Sequence, residues 1–338
     1  MAGKVRPDVF PSGRISIRIF PVYLYPFQPH EGQRGNQEMF DKKLFEGIVA
    51  PMVNPCFEDD SLDMEGVQKN LDRLLATDVA GLYINGGTGD AANLSQQERL
   101  EIAAYLVPKL LEAKKLAIVH VGQTTQRCAV ELAKQAVELG AHAVASIPPK
   151  KPWPQIVEYY KALAATGANV IVYYIPGMTG ITATMTELRM MLDIPGVIGI
   201  KMSDYNIFLM RSVIMEYPDK VVYTGLDEML IPGLFYGAHG SIGTWGNLLP
   251  NMYVKAFAKV QAGKTDELKP LMEEFTAFLA IGWNYGIIDT FEELMRAKGY
   301  ANRCFRHPSS WNPGKVPQDV LADLLARMDK INAMAAAL

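Results

Sequence analysis

The stretch Gly196-Val197-Ile198-Gly199-Ile200-Lys201-Met202-Ser203-Asp204 carries a lysine at the end of a short apolar run. Val197, Ile198, Ile200 and Met202 leave little polarity to justify a charge. A run of this length, β-branched and bounded by glycine, reads as a buried strand of a parallel sheet. Burying an ammonium is costly, and such a group usually answers by giving up its proton more readily. An uncharged lysine attacks carbonyls, which is the basis of Schiff-base catalysis. The competing reading is a lysine whose stem follows the apolar surface past the strand end and carries its charge into water.

Runs of the same kind lie on both sides. Strands are expected over 48–53, 81–85, 116–121, 143–147 and 170–174 before the lysine strand, and over 221–224 and 240–244 after it. Helical periodicity fills 64–76, 95–111, 125–139, 154–165 and 185–192, and Ser95 with Glu98 has capping-box spacing. Strands alternating with helices mean a parallel sheet. Eight such units over about 200 residues predict closure into a (β/α)8 TIM barrel, an α/β fold. Beyond Gly263 strand signals stop, and helical segments follow near 265–283, 290–299 and 317–336. The expected organisation is an irregular N-terminal extension over 1–43, the barrel over 44–263 and a C-terminal helical annex over 264–338.

Composition narrows the function classes. The chain has 338 residues, 49% of them hydrophobic and 20% charged, enough for a large core. A net charge of -3 offers no basic surface for a polyanion, so nucleic acid is not an expected partner. No apolar run reaches the roughly 18 residues that span a bilayer. Cys56, Cys128 and Cys304 are far apart and odd in number, which suits a reducing cytoplasm better than a disulfide framework or a zinc knuckle. The five histidines show no i, i+4 ligand spacing, so no metal is expected. Residues 1 to about 40 differ from the rest. Their arginines suggest a presequence that Asp8, Glu31 and Glu38 spoil. Either translation begins at Met39, or the stretch is an arm that packs on a neighbouring subunit.

In a barrel, chemistry sits at the C-terminal strand ends. The second strand ends in Asn85-Gly86-Gly87-Thr88-Gly89-Asp90. Here Gly87-Thr88-Gly89-Asp90-Ala91-Ala92 formally matches a dinucleotide fingerprint. The helix, however, opens only near Ser95, and no acid ends the third strand to hold a ribose. A Gly-rich turn with free amides beside a hydroxyl also suits a small carboxylate, and it could be a tight turn and nothing more. The fifth strand ends in Tyr173-Tyr174-Ile175-Pro176-Gly177. Adjacent tyrosines on a strand face opposite sides, so one can meet Lys201 inside the barrel and relay protons.

Taken together, these strand ends resemble the pyruvate-dependent class I aldolases, the family of dihydrodipicolinate synthases and N-acetylneuraminate lyases. The resemblance covers about residues 44–300. It implies that Lys201 forms the Schiff base with a 2-oxo acid, and that Tyr173 is the proton-relay phenol. Thr88 is implied to link to that phenol and to bind the substrate carboxylate with the Gly86–Gly87 turn. No cofactor is implied. Synthases carry an arginine soon after the Tyr-x-x-Pro-Gly turn, where this chain has Met178, and a thioether cannot replace a guanidinium. The lyase pattern is present as Ser203, as Gly225-Leu226-Asp227-Glu228 and as Thr244. Carboxylates and hydroxyls suit a polyhydroxylated substrate tail. Asp227-Glu228 is equally readable as a helix N-terminus. The chain departs from its relatives at Gly87, where Ser or Thr is usual, at Asp90, where Glu is commoner, and in the fourth-strand turn, which lacks the usual aromatics.

The expected activity is a Schiff-base lyase that cleaves or forms a 2-oxo acid from pyruvate and a sugar-derived aldehyde, closest to N-acetylneuraminate lyase. The alternatives are dihydrodipicolinate synthase, another sugar-acid aldolase or dehydratase, and a catalytically silent barrel that binds 2-oxo acids. The resemblance also implies a homotetramer.

Overall fold

The computed structural model describes residues 40–338, apart from 123–124 and 309–311. The N-terminal stretch read above as an extension, a start-site artefact or an arm lies almost wholly outside the described residues.

Eight parallel strands close into a barrel in sequence order. They are β1 (Gly47–Pro51), β2 (Gly81–Ile84), β3 (Leu116–His120), β4 (Ala143–Ser146), β5 (Val170–Tyr174), β6 (Val197–Met202), β7 (Val221–Thr224) and β8 (Gly240–Ser241). Every strand residue is buried, as expected when one face meets the barrel interior and the other the helices. The two faces form separate cores. Val49, Tyr83, Ile118, Ala145, Ile171, Ile198, Tyr223 and Ile242 fill the interior. Residues of the opposite parity, such as Leu82, Val119, Val172, Ile200 and Val222, join the helices in the outer core. The register places Lys201 beside Tyr173 on one side and Tyr223 on the other.

The surrounding helices are α1 (Met64–Leu75), α2 (Gln96–Glu112), α3 (Gln126–Glu138), α4 (Trp153–Ala164), the single turn α5 (Pro176–Thr179), α6 (Met185–Leu192), α7 (Ile207–Glu216), α8 (Leu230–Phe235) and α9 (Pro250–Gln261). The Ser95–Glu98 capping box forms on α2 as its spacing predicts. The sequence patterns assign no helix to α7 or α9, whereas the helix N-terminus read at Asp227-Glu228 is the single turn Asp227–Met229 that leads into α8. Segment α7, Ile-Phe-Leu-Met-Arg-Ser-Val-Ile-Met-Glu, is apolar on most sides and shows little periodic contrast. Beyond the barrel come α10 (Lys269–Tyr285), α11 (Ile287–Ala297) and α12 (Gln318–Ala337). Phe275 and Phe278 of α10 and Phe291 of α11 pack with Trp245 and Tyr253 against the β8 end of the barrel. Among the described residues, no helix is long and apolar enough to cross a membrane.

Candidate active site

Lys201 lies inside the barrel with only 5% of its surface exposed, which removes the reading that sent it past the strand end. Its Nζ sits 4.0 Å from the centroid of the Tyr173 ring and 4.8 Å from that of Tyr83. Strand alternation turns Tyr173 inward and Tyr174 outward. The outward phenol accepts a hydrogen bond from the Ala183 amide at 3.0 Å. Alternation on β6 likewise turns Ser203 to the same side as Lys201. The Ser203 hydroxyl donates to the Tyr173 oxygen over 3.4 Å. Such bonds are often long before substrate binds.

Gly225 explains how the lysine and the serine fit. A Cβ at this position would lie 2.2 Å from Ser203 Oγ and 2.8 Å from Lys201 Cε. The end of β7 is therefore bare so that the two β6 side chains can occupy the space. Gly86 does the same for Tyr83, whose ring edge would be 2.5 Å from an added Cβ.

The Asn85–Asp90 turn is held from several sides. Asn54 Nδ2 donates to the Gly89 carbonyl at 2.8 Å, and Asn85 Nδ2 donates to the Arg99 carbonyl at 2.9 Å. Asn85 and Asp90 both take positive φ, 56° and 59°, a conformation that their short polar side chains tolerate. The amides of Gly89, Asp90 and Ala91 turn back on the carbonyls of Gly86 and Gly87. Among the described residues, the amides of Gly87 and Thr88 have no partner within the turn and are free for an anion. A side chain at Gly87 would meet nothing within 4 Å, so the turn is open there. The helix opens only at Gln96, too far on for the dinucleotide reading of the same glycines.

Two relationships differ from expectation. Thr88 does not hydrogen-bond Tyr173. Its hydroxyl pairs with that of Thr244 at 3.0 Å, because the turns after β2 and β8 flank β1 at the barrel mouth. Asp227 is buried and Oδ1 is already engaged, accepting from the Trp245 amide at 3.0 Å and from the Tyr253 hydroxyl. Burial pushes this carboxyl up to about 6 against those hydrogen bonds. Glu228 is half-buried and accepts from the Tyr205 hydroxyl. The acidic pair thus splits, one member holding the turn after β8 and the other paired with the loop after β6.

Sequence reading gave no role to three neighbours of the lysine. Tyr83 is buried, and among the described residues its hydroxyl has no hydrogen-bond partner. Burial raises that phenol well above its ordinary range. His120 packs edge-to-face with Tyr173 at 6.3 Å between centroids. Burial first, then the charges of Arg99 and Lys201, hold this imidazole well below its ordinary range and hence neutral. Arg99 fixes the end of β3, donating to the carbonyls of His120 at 2.6 Å and Gly122 at 2.7 Å. Inward parity on β2 and β3 is the sequence signal that could have found Tyr83 and His120.

A closed parallel barrel that gathers a buried lysine, a phenol and hydroxyls at the C-terminal ends of its strands has the architecture of a barrel enzyme, with its candidate active site at that rim. A model of the dihydrodipicolinate synthetase family matches residues 44–316, and the chain belongs to that family, whose members cleave carbon–carbon bonds as aldolases. An N-acetylneuraminate lyase of Rhizobium meliloti is 30% identical over 269 residues, 78% of this chain and 89% of the relative. The N-acetylneuraminate lyase structure from Fusobacterium nucleatum superposes with a TM-score of 0.77 at 25% identity, covering 85% of this chain and 99% of that one. A sialic acid aldolase of Ruminococcus gnavus shares the fold, with a TM-score of 0.79 at 22% identity over 86% of this chain and 99% of that one.

Proposed function

We propose that this chain is a pyruvate aldolase in which Lys201 forms the Schiff base, and that its substrate is N-acetylneuraminate or a closely similar sugar acid. The observation that carries the reading is Lys201 Nζ held 4.0 Å from the Tyr173 ring, buried inside the barrel. The free amides of Gly87 and Thr88 suit the substrate carboxylate. Water leaves as the lysine nitrogen condenses with the C2 carbonyl, and the Tyr173 proton passes to the imine nitrogen. The resulting phenolate takes the proton of the C4 hydroxyl. The C3–C4 bond breaks, its electron pair moves into the enamine, and the aldehyde departs. Tyr173 then returns its proton to C3, restoring the iminium, and hydrolysis frees pyruvate and the lysine. One phenol moves the proton from oxygen to carbon, so no outside base is needed.

Lyase rather than synthase specificity is supported by Met178, which is 57% exposed where a guanidinium would be needed to grip a second carboxylate. It is also supported by the Rhizobium meliloti relative. Ser203, Gly225, Glu228 and Thr244 line the path for the aldehyde portion in this reading, with Asp227 shaping it from behind. A cytoplasmic homotetramer belongs to the same proposal.

Borohydride reduction in the presence of pyruvate, followed by peptide mapping, tests the reading. The expected adduct is on Lys201, and an adduct on another lysine, or none, refutes it. A lactate-dehydrogenase-coupled assay then separates the branches. N-acetylneuraminate is expected to release pyruvate, whereas consumption of pyruvate with aspartate semialdehyde alone would assign the synthase activity. Imine formation without turnover of either substrate would point to the silent barrel.

A further inference from the structure

We propose that Ser203 is a positioning residue for proton transfer, its hydroxyl donating to the Tyr173 oxygen and holding the phenolate between the substrate hydroxyl and C3. The proposal rests on the aldolase reading above and adds to it the group that controls its base.

Three observations converge on this serine. The Ser203 hydroxyl donates to the Tyr173 oxygen, in a buried setting. The rim hydroxyls of Thr88 and Thr244 are paired with each other, and Gly87 carries none. The backbone gives Ser203 its place: its amide donates to the Tyr174 carbonyl at 2.8 Å, and Gly225 leaves the space that Oγ fills. A serine merely lining the aldehyde path would not require the adjacent strand end to be bare on its account.

The chemistry follows from the charge that Tyr173 carries during the cycle. After the imine nitrogen has taken its proton, the phenolate oxygen needs a donor. The surrounding groups offer few: Tyr83 and His120 meet Tyr173 with ring edges, at 6.3 Å between centroids in each pair. A hydrogen bond to an ionised oxygen is stronger than one to a neutral oxygen, so the Ser203 bond tightens when the phenolate forms. Its direction also fixes the oxygen toward C3 and the C4 hydroxyl. Ser203 itself neither gains nor loses a proton.

Exchange of the C3 hydrogens of pyruvate with deuterium oxide, followed by proton NMR, isolates this step from aldehyde binding. With the full-length chain, Ser203→Ala is expected to trap pyruvate on Lys201 as the wild type does, while C3 exchange falls about tenfold to a hundredfold. Ser203→Thr, which keeps the hydroxyl, is expected to retain exchange. In a Tyr173→Phe background, Ser203→Ala is expected to cost nothing further, because the serine acts through the phenol. Unchanged exchange in Ser203→Ala, additive losses in the double variant, or a loss in Ser203→Thr equal to that in Ser203→Ala each overturns the proposal. Loss of trapping in Ser203→Ala alone overturns it as well, by placing the serine's action on the lysine. Failure of the wild type to trap pyruvate instead removes the aldolase reading on which the proposal stands.

Discussion

A methyl group at position 225 is the sharpest perturbation the site permits. In Gly225→Ala the new carbon would stand 2.2 Å from Ser203 Oγ and 2.8 Å from Lys201 Cε. Ordinary contacts are about 3.5 Å, so the serine oxygen has to withdraw by about 1 Å and the lysine stem by somewhat less. Neither has free space, since Lys201 is wedged between the Tyr173 and Tyr83 rings. Overpacking of this kind costs roughly 1–3 kcal/mol of stability. A misplacement of about 1 Å at the reacting group costs about a hundredfold in rate. Chemical denaturation gives the first quantity, and the rate of borohydride-trapped adduct formation with saturating pyruvate gives the second. The expected result is a modestly destabilised, folded protein that traps pyruvate far more slowly than the wild type. Wild-type trapping and turnover in Gly225→Ala would mean that Lys201 works from a position away from the end of β7, and the reasoning would fail.

Three further outcomes are expected. Tyr173→Phe keeps imine formation but loses about a hundredfold to ten-thousandfold in turnover, the range for a displaced acid–base group, and full activity there would place the proton shuttle elsewhere. Asp227→Ala strips acceptors from the Trp245 amide and the Tyr253 hydroxyl and is expected to lower unfolding free energy by about 1–3 kcal/mol for each donor left bare, measured in urea. Glu292 is fully buried and accepts from the Cys304 amide, and burial pushes its carboxyl up from 4.5 to about 7. Because folding favours its protonated form, this contribution to stability is intact below about pH 4.5 and is lost as pH rises through about 7. Relative to Glu292→Gln, the wild type should therefore lose on the order of 3 kcal/mol between pH 4.5 and 8, and parallel curves would contradict this.

The sequence made the barrel legible because strand and helix periods alternate cleanly. Parity along β5 leaves one of two tyrosines to face inward and the apolar run of β6 leaves the lysine readable as inward or as snorkelling, so it was the resemblance to the class I aldolases that singled out Tyr173 and Lys201. What could not be read were relationships between residues distant in sequence. That Thr88 meets Thr244, leaving Ser203 to meet Tyr173, depends on how the turns after β2, β6 and β8 converge at the rim. The split fate of Asp227 and Glu228 depends on α9 presenting Tyr253 to one and the loop after β6 presenting Tyr205 to the other. Gly225 was legible as a motif residue, but its purpose as a vacated volume needed neighbouring side chains in three dimensions. The helix α7 is hard to read because it is apolar on most sides.

Arg306 reaches the Asn85–Asp90 turn from far down the chain. Its amide donates to Asp90 Oδ2 at 2.8 Å, and its guanidinium lies 3.8 Å from the same oxygen. The arginine is not among the proposed reacting groups, yet it anchors the turn whose Gly87 and Thr88 amides are proposed to hold the substrate carboxylate. Every proposed reacting group is translated well before this anchor, so a nascent barrel holds its chemistry unsecured until about nine-tenths of the chain has emerged. Grafting these strand ends onto a shorter barrel would import the groups and leave behind the brace that keeps them aligned.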